Sequence, residues 1–283
     1  MFYLGFDIGG SSIKAVLVKD KGIVKSVTED LPDNLENLLL LVGKMRNNLI
    51  ENIQADQIGG IGFGIAGAID ASREKVLNSP NIQYLNDQSI KKLLEEKLKP
   101  LSIKIEHDVH CFLQAEKEVG LAKELKNVVY LTVGTGVGGA WMVDGKIQIG
   151  AHGASGEIGH MIIEVSQQLD FENLTANVFV KKRLGINAVE AEELLRLGDQ
   201  KAKEIFDERG KNLGIGLANI INIFDPEAII IGGGVVSAQE FILSGIKEGI
   251  EKFVISPAAK ATKILFSQLG NFGGALGAAM LFS

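Results

Sequence analysis

The stretch that most limits what this chain can become is Leu131 to Gly139, LTVGTGVGG. There an apolar run dissolves into glycines alternating with Thr135 and Val137, then resumes as Ala140-Trp141-Met142-Val143. Glycine at this density lets backbone N–H groups approach an anion with no Cβ in the way, so a phosphate cradle is the first expectation. The spacing G-x-G-x-x-G occurs here, but the dinucleotide fingerprint needs a helix directly after the loop. Instead, AWMV followed by Asp144-Gly145 reads as a strand ending in a tight turn. No G-x-x-x-x-G-K-[ST] segment is present, which removes the P-loop. A strand-turn-strand phosphate loop is what remains.

The pattern occurs twice. Gly5 to Asp20 reads GFDIGGSSIKAVLVKD, and an offset of 125 residues lays Ile8-Gly9 on Val133-Gly134 and Ala15 to Val18 on Ala140 to Val143. Two related halves are therefore expected.

A chain of 283 residues with 46% apolar and 23% charged content has room for one large domain or two ordinary ones, each with a sizeable core. A net charge of −6 with no basic stripe argues against nucleic acid and against anionic membrane as partners. The single cysteine, Cys111, excludes a disulfide framework and fits a reducing compartment. Phe2 to Phe6 reads as a strand rather than a signal peptide or a helix-turn-helix extension, and no uncharged apolar run reaches 18 residues. A cytoplasmic location is expected.

Along the chain, apolar residues at three-to-four spacing from Leu35 to Ile53 predict an amphipathic helix. Gly59 to Ile65 reads as a glycine-laced strand, and Pro80-Asn81-Ile82 as a loop. A helix over Lys91 to Lys97 follows, with Asn86, Asp87 or Ser89 as possible caps. Strands are expected at Leu101 to Glu106, Val128 to Val133, Ala228 to Ile231 and Lys263 to Phe266. Helices are expected at Val109 to Val119, from Asn173 to Phe224 with breaks near Gly185 and Gly198, over Ala238 to Phe253, and at Gly273 to Leu281.

Asp108 is the first chemical candidate. A carboxylate between a strand and a helix is placed to face a ligand, and phosphoryl transfer to an alcohol needs one to take the hydroxyl proton. A helix N-cap is the competing role. Asp7, just before Gly9-Gly10, either holds hydrated magnesium beside phosphates or is a turn residue. Glu157 and His160, set among glycines in GEIGH, suit sugar hydroxyls or a surface turn. His107, His110 and His160 make a poor zinc set with one thiol in the chain. Gly232-Gly233-Gly234 permits close approach of a flat ligand such as adenine, or tight strand–helix packing.

Taken in order, the motifs DIGGSSIK (Asp7 to Lys14), GFGIAGAID (Gly62 to Asp70), PNI (Pro80 to Ile82), EHD (Glu106 to Asp108), the central loop, GEIGH (Gly156 to His160), DPEAIIIGGGVV (Asp225 to Val236) and GALGAA (Gly274 to Ala279) span nearly the whole chain. Together they resemble the ROK family of bacterial sugar kinases and sugar-responsive repressors. The resemblance implies an α/β, two-lobed actin/hexokinase-like (ribonuclease H-like) fold with a cleft between lobes. One lobe would comprise residues 1–110 plus about 270–283, the other residues 111–269. It also implies ATP and Mg2+, a small-molecule sugar as partner, and a homodimer.

By position, the resemblance makes Asp108 the base, with Asp7 as the magnesium side chain acting through water. Gly9, Gly10, Ser11 and Lys14 would line the first phosphate loop, Thr135 and Gly136 the second, and Gly233 and Gly234 the adenosine. Asn81, His107, Glu157, His160 and Glu172 would contact sugar. Met161 to Asn173 lacks the family's zinc cysteines, so structural zinc is not expected. His107 replaces the family's usual Asn, which argues against plain glucose as substrate, and Ala66 replaces the common proline of the G-x-P-G turn. The expected activity is phosphorylation of a hexose or hexose derivative, at the 6-hydroxyl. The alternative is a non-catalytic sugar sensor, distinguished by sugar binding without turnover.

Overall fold

In the computed structural model, which describes residues 1–283, both glycine-rich stretches form the tips of antiparallel hairpins. Strands β1 (Phe2–Ile8), β2 (Ser12–Lys19) and β3 (Gly22–Asp30) make a meander, followed by α1 (Leu35–Leu49). Then β4 (Ile58–Ile65) runs parallel beside β1. A short hairpin, β5 (Ala68–Ile69) with β6 (Val76–Asn78), and helix α2 (Ile90–Leu98) lead to β7 (Ile103–His107), parallel to β4. Helix α3 (Asp108–Val119) follows without a linker. The sheet order is β3-β2-β1-β4-β7.

The second sheet repeats this plan. β8 (Val128–Val133), β9 (Val137–Val143) and β10 (Lys146–Ile147) form its antiparallel part. The hairpin β11 (Ile162–Glu164) with β12 (Leu169–Asp170) precedes four helices, α4 (Phe171–Thr175), α5 (Asn177–Leu184), α6 (Ala188–Arg196) and α7 (Gln200–Phe224). Strand β13 (Ala228–Gly232) then runs parallel to β8, α8 (Gln239–Phe253) follows, and β14 (Lys263–Phe266) completes the order β10-β9-β8-β13-β14. The offset of 125 residues carries β1 onto residues 127–133 and β2 onto 137–144, within one residue of β8 and β9 at either end.

A last helix, α9 (Gly273–Ala279), returns to the first sheet. By internal contacts the chain forms two compact units: Met1–Glu124 with Ile147–Ser155 and Leu269–Ser283, and Leu125–Lys146 with Gly156–Gln268.

Period-two alternation explains the first unit's glycines. Leu4, Phe6 and Ile8 of β1, with Ile61, Phe63 and Ile65 of β4, point into a core closed by Leu38, Val42 and Met45 of α1 and Leu94 and Leu98 of α2. Burying each such side chain stabilises the fold by about 1.5–3 kcal/mol. On the opposite face, Gly5 and Gly62 lie directly under α9. A Cβ on Gly5 would fall 1.8 Å from Ala275 O, and one on Gly62 1.8 Å from Ala278 O. In the second unit, Val129, Leu131, Ile229 and Ile231 pack with Phe171, Phe206, Leu213, Leu217 and Ile246.

Some element ends differ from the periodicity: the strand expected at Leu101 to Glu106 runs from Ile103 to His107. The helix predicted to reach Ile53 ends at Leu49, because Asn52 adopts a left-handed φ of +69° that an α-helix cannot continue through. Helix α2 has Ser89 at its cap position, but the side chain makes no capping bond. No helix is long and apolar enough to cross a membrane.

Candidate active site

In the first unit, Asp7 stands near the end of β1, opposite Lys14 in the β1–β2 register and only 7% exposed. Its carboxylate is seated against Gly274 of α9, where a Cβ would come within 2.8 Å of Oδ2. Asp7 is thus a buried acid rather than a turn residue. Burial, and then the charge of Asp108, push its pKa up to about 7 against the pull of Lys14. The Gly9–Ser11 turn is closed by Gly9 N donating to Ser12 O (3.1 Å) and Leu31 N to Ser11 O (3.1 Å). Asn81 lies over this turn, since a Cβ on Gly10 would sit 2.8 Å from Asn81 Cβ. Asp7, Gly9, Gly10, Ser11, Lys14, Asn81, His107 and Asp108 all belong to this one unit.

The N-cap role open to Asp108 falls to His107, whose side chain makes no capping bond, and Asp108 is the first helical residue of α3. Asp108 Oδ1 accepts from Val109 N at 2.8 Å and lies 3.4 Å from His107 Nδ1. The side chain is 24% exposed, and no hydrogen bond engages Oδ2. Behind it, Glu106 is a hub. It accepts from Arg73 Nε (2.9 Å) and His107 N (2.8 Å), pairs with Arg73 Nη2 (2.9 Å) and lies 3.0 Å from His110 Nδ1.

Burial works against the Glu106 charge, but the bond and charge of His110, then Arg73 and the His107 N–H, hold its carboxyl below the usual range. Arg73 also donates to Ile69 O, Asp70 O and Gly153 O. Neither Glu106 nor Arg73 stands out in the sequence as a functional residue. Helical spacing could not have found them, because Glu106 ends on strand β7 and the helix that carries His110 begins only at Asp108. Cys111 is buried behind the same carboxylates, and burial followed by Glu106, Asp7 and Asp108 pushes its thiol pKa well up.

The second unit gathers the other expected positions. Gly134 N donates to Gly136 O (2.9 Å), forming a tight three-residue tip, and Asn177 N donates to Gly134 O (2.8 Å). Glu172 lies against this loop rather than apart from it. Its Oε2 accepts from Val137 N at 2.8 Å, and a Cβ on Gly136 would fall 2.7 Å from that oxygen. Gly233, at φ +82°, turns the chain beside β8, where any Cβ would fall 2.5 Å from Val133 O. A Cβ on Gly134 would sit 3.8 Å from Gly234 N, so the two glycine turns adjoin, while Thr135 is exposed at the tip.

Glu157 precedes a 3-10 turn, Ile158–His160. His160 Nδ1 lies 3.3 Å from Asp170 Oδ2 and Nε2 4.0 Å from Glu157 Oε2. Asp170 also caps α4 by accepting from Asn173 N (2.8 Å), so one carboxylate links His160 to the helix that bears Glu172. Asp170, Asn177 and Arg209, which bonds Asn177, had no place in the sequence reading.

No group of three or more His, Cys, Asp or Glu side chains is arranged to hold a metal ion. Magnesium keeps several waters and takes one or two carboxylates beside phosphates, so it does not need such a group. Asp7 suits that demand, because burial and Asp108 disfavour its negative charge until a cation is present.

A sequence profile of the ROK family matches residues 3–283. The chain is 30% identical to N-acetyl-D-glucosamine kinase of Aliivibrio salmonicida (strain LFI1238) over 307 residues, covering 99% of each. It is 26% identical to glucokinase of Streptomyces coelicolor over 311 residues, covering 98% of this chain and 96% of that protein. Among solved structures, a ROK family glucokinase from Streptomyces griseus in complex with glucose and AMPPNP matches with a TM-score of 0.88 at 26% identity, over 99% of both chains. The mixed α/β architecture with two like-ordered sheets is that of the actin/hexokinase-like fold. With the motifs in order and the profile running across both units, the chain belongs to the ROK family.

Proposed function

We propose that this protein is an ATP-dependent sugar kinase acting on a hexose or hexose derivative, at the 6-hydroxyl. The observation that carries the proposal is Asp108: one carboxylate oxygen is tied to Val109 N, the other is not engaged, and its charge is felt by a buried second acid, Asp7. The relatives support the same chemistry, being named N-acetyl-D-glucosamine kinase and glucokinase, with a neighbouring structure holding glucose and AMPPNP.

In this mechanism the sugar oxygen attacks the γ-phosphorus, the bond to the β–γ bridging oxygen breaks, and the hydroxyl proton passes to Asp108 Oδ2. Fixing Oδ1 on Val109 N orients the free oxygen before the hydroxyl arrives. Gly9, Gly10, Ser11 and Lys14, with Thr135 and Gly136, hold phosphate oxygens, and Gly233 and Gly234 flank adenosine. Asn81, His107, Glu157, His160 and Glu172 take sugar hydroxyls. Asp7 would hold magnesium through water, and that ion, when bound, neutralises charge on the phosphates. His107 beside Asp108, where the family usually has Asn, directs the reading away from plain glucose.

A coupled assay of ADP release with Mg-ATP tests it, across hexoses, N-acetylhexosamines, β-glucosides and disaccharides. Release above background with one of these is the expected result. Sugar binding by calorimetry without turnover on any of them would replace the kinase with a sugar sensor.

A further inference from the structure

We propose that Arg209 is a buried positioning cation for the nucleotide's phosphates, holding the Gly134–Gly136 turn through Thr175 and Asn177 and supplying positive charge behind it. The inference rests on the reading that this turn binds phosphate.

Arg209 lies inside α7 at 0% exposure. Its Nε donates to Thr175 O at 2.7 Å and its Nη2 to Asn177 Oδ1 at 3.2 Å, while the buried Nη1 has no hydrogen-bond partner. Its guanidinium stacks near the Phe206 ring, 5.7 Å from the centroid. No carboxylate is bonded to it. The acid whose charge reaches it is Glu192, which is itself paired with Arg196.

A guanidinium in such a place is costly, because burying a charge without a counter-ion forfeits its hydration. Burial lowers its pKa to about 10, so it remains charged at neutral pH. If the role were only to cap a carbonyl and a side-chain amide, a neutral donor would serve at less cost.

The two groups it holds explain the placement. Thr175 is the last residue of α4 and Asn177 the first of α5, so Arg209 clamps the joint between the helices. From that joint Asn177 N bonds Gly134 O, and from α4 the Glu172 carboxylate bonds Val137 N. Both ends of the glycine turn are therefore anchored to the segment that Arg209 fixes. With Gly134 N and Val137 N already bonded, the Thr135 and Gly136 N–H groups are left for a ligand, and a fixed cation two hydrogen bonds behind them suits a polyanion. A neutral sugar gains nothing from that charge.

The test uses the full-length protein and two variants. Asn177→Asp places a carboxylate on Arg209 Nη2, cancelling its charge while keeping the clamp filled and the backbone bond to Gly134 in place. Arg209→Gln keeps a donor and removes the charge. Calorimetry with Mg-ADP and with AMPPNP, alongside sugar binding and thermal melting, gives the readout.

The expected result is nucleotide affinity reduced about tenfold or more in Asn177→Asp, with sugar affinity unchanged and the melting temperature equal or higher. A clamp of purely structural role would leave nucleotide affinity intact in that variant, and such a result overturns the proposal whether or not Arg209→Gln folds. Equal losses of sugar and nucleotide affinity overturn it as well. Failure of the wild-type protein to bind either nucleotide removes the phosphate reading of the turn, and the inference with it; normal wild-type binding with an unaffected Asn177→Asp removes the inference alone.

Discussion

The hairpin of residues 2–19 and the hairpin of residues 128–143 share strand order and a glycine tip, yet their registers differ by one residue, Ile8 facing Ile13 but Val133 facing Val137, and the offset that superimposes them sets Asp7 against Thr132. The first unit buries an acid beside its turn, in electrostatic contact with Asp108. The second buries a cation, Arg209, behind its own. Apolar alternation and small turn residues suffice to form the scaffold twice. On the proposal made above, the hidden charge distinguishes two phosphate-binding turns: an acid for a divalent cation beside one, a cation behind the other.

The sharpest way to break this contrast is Asp108→Asn. The amide is isosteric and keeps an oxygen for Val109 N, so the helix start survives. Loss of a general base costs on the order of 10²–10⁴-fold in turnover. The expected outcome is a kcat reduced by that order with the sugar KM changed less than about threefold, read from steady-state kinetics. Unchanged turnover would leave the acidic unit without a chemical role.

Asp7→Asn separates stability from function in the same unit. The folded protein holds the Asp7 proton up to about pH 7, whereas the unfolded chain releases it near 3.8. Between those values the native state binds more protons than the unfolded one, so stability falls as pH rises from about 4 to 7. At about 1.4 kcal/mol per unit, the loss is at most about 4 kcal/mol. Above pH 7 the metal-free Asn variant is expected to melt higher than wild type, with the gain shrinking as pH is lowered towards 4, and to lose turnover. A variant less stable than wild type at pH 8 would show that the acid is stabilising where it stands.

The residues that differ between the copies were the hardest to read. Strands β8 and β14 were legible to the residue, because short apolar runs bounded by turn residues admit few other structures. The glycines of β4 were legible as a strand, but the reason for Gly62, a helix backbone on the sheet face, depends on α9, which lies more than 200 residues later in the chain. Arg209 was invisible. In Asp207-Glu208-Arg209-Gly210-Lys211 it looks like part of a solvated face, and only the packing of α4 and α5 on α7 buries it. Glu106 was quoted as part of a motif, and its function as a hub depends on Arg73, which reaches it from the β5–β6 turn. Long-range burial sets the charge of these groups, and local pattern carries no record of it.

The smallest expected effects come from making the same change in both turns. Neither Gly10 nor Gly136 has a positive φ, so alanine is allowed by backbone geometry and its consequence depends on what the new methyl meets. On Gly10 it meets Asn81 Cβ at 2.8 Å, on an exposed loop that can yield, so Asn81 is displaced at little cost to stability. On Gly136 it meets Glu172 Oε2 at 2.7 Å, the same oxygen that accepts from Val137 N, so moving it releases one anchor of the turn. Losing that charge-assisted bond costs roughly 1–3 kcal/mol. Both turns are proposed to hold ATP phosphates, so each substitution is expected to raise the ATP KM; Gly10→Ala, through Asn81, also raises the sugar KM a few-fold and leaves the melting temperature within about 2 °C, while Gly136→Ala, through Glu172, lowers the melting temperature by several degrees. Should Gly136→Ala leave the melting temperature as little changed as Gly10→Ala does, Glu172 is not an anchor of the second turn, because the two methyl groups would then have met neighbours that yield equally.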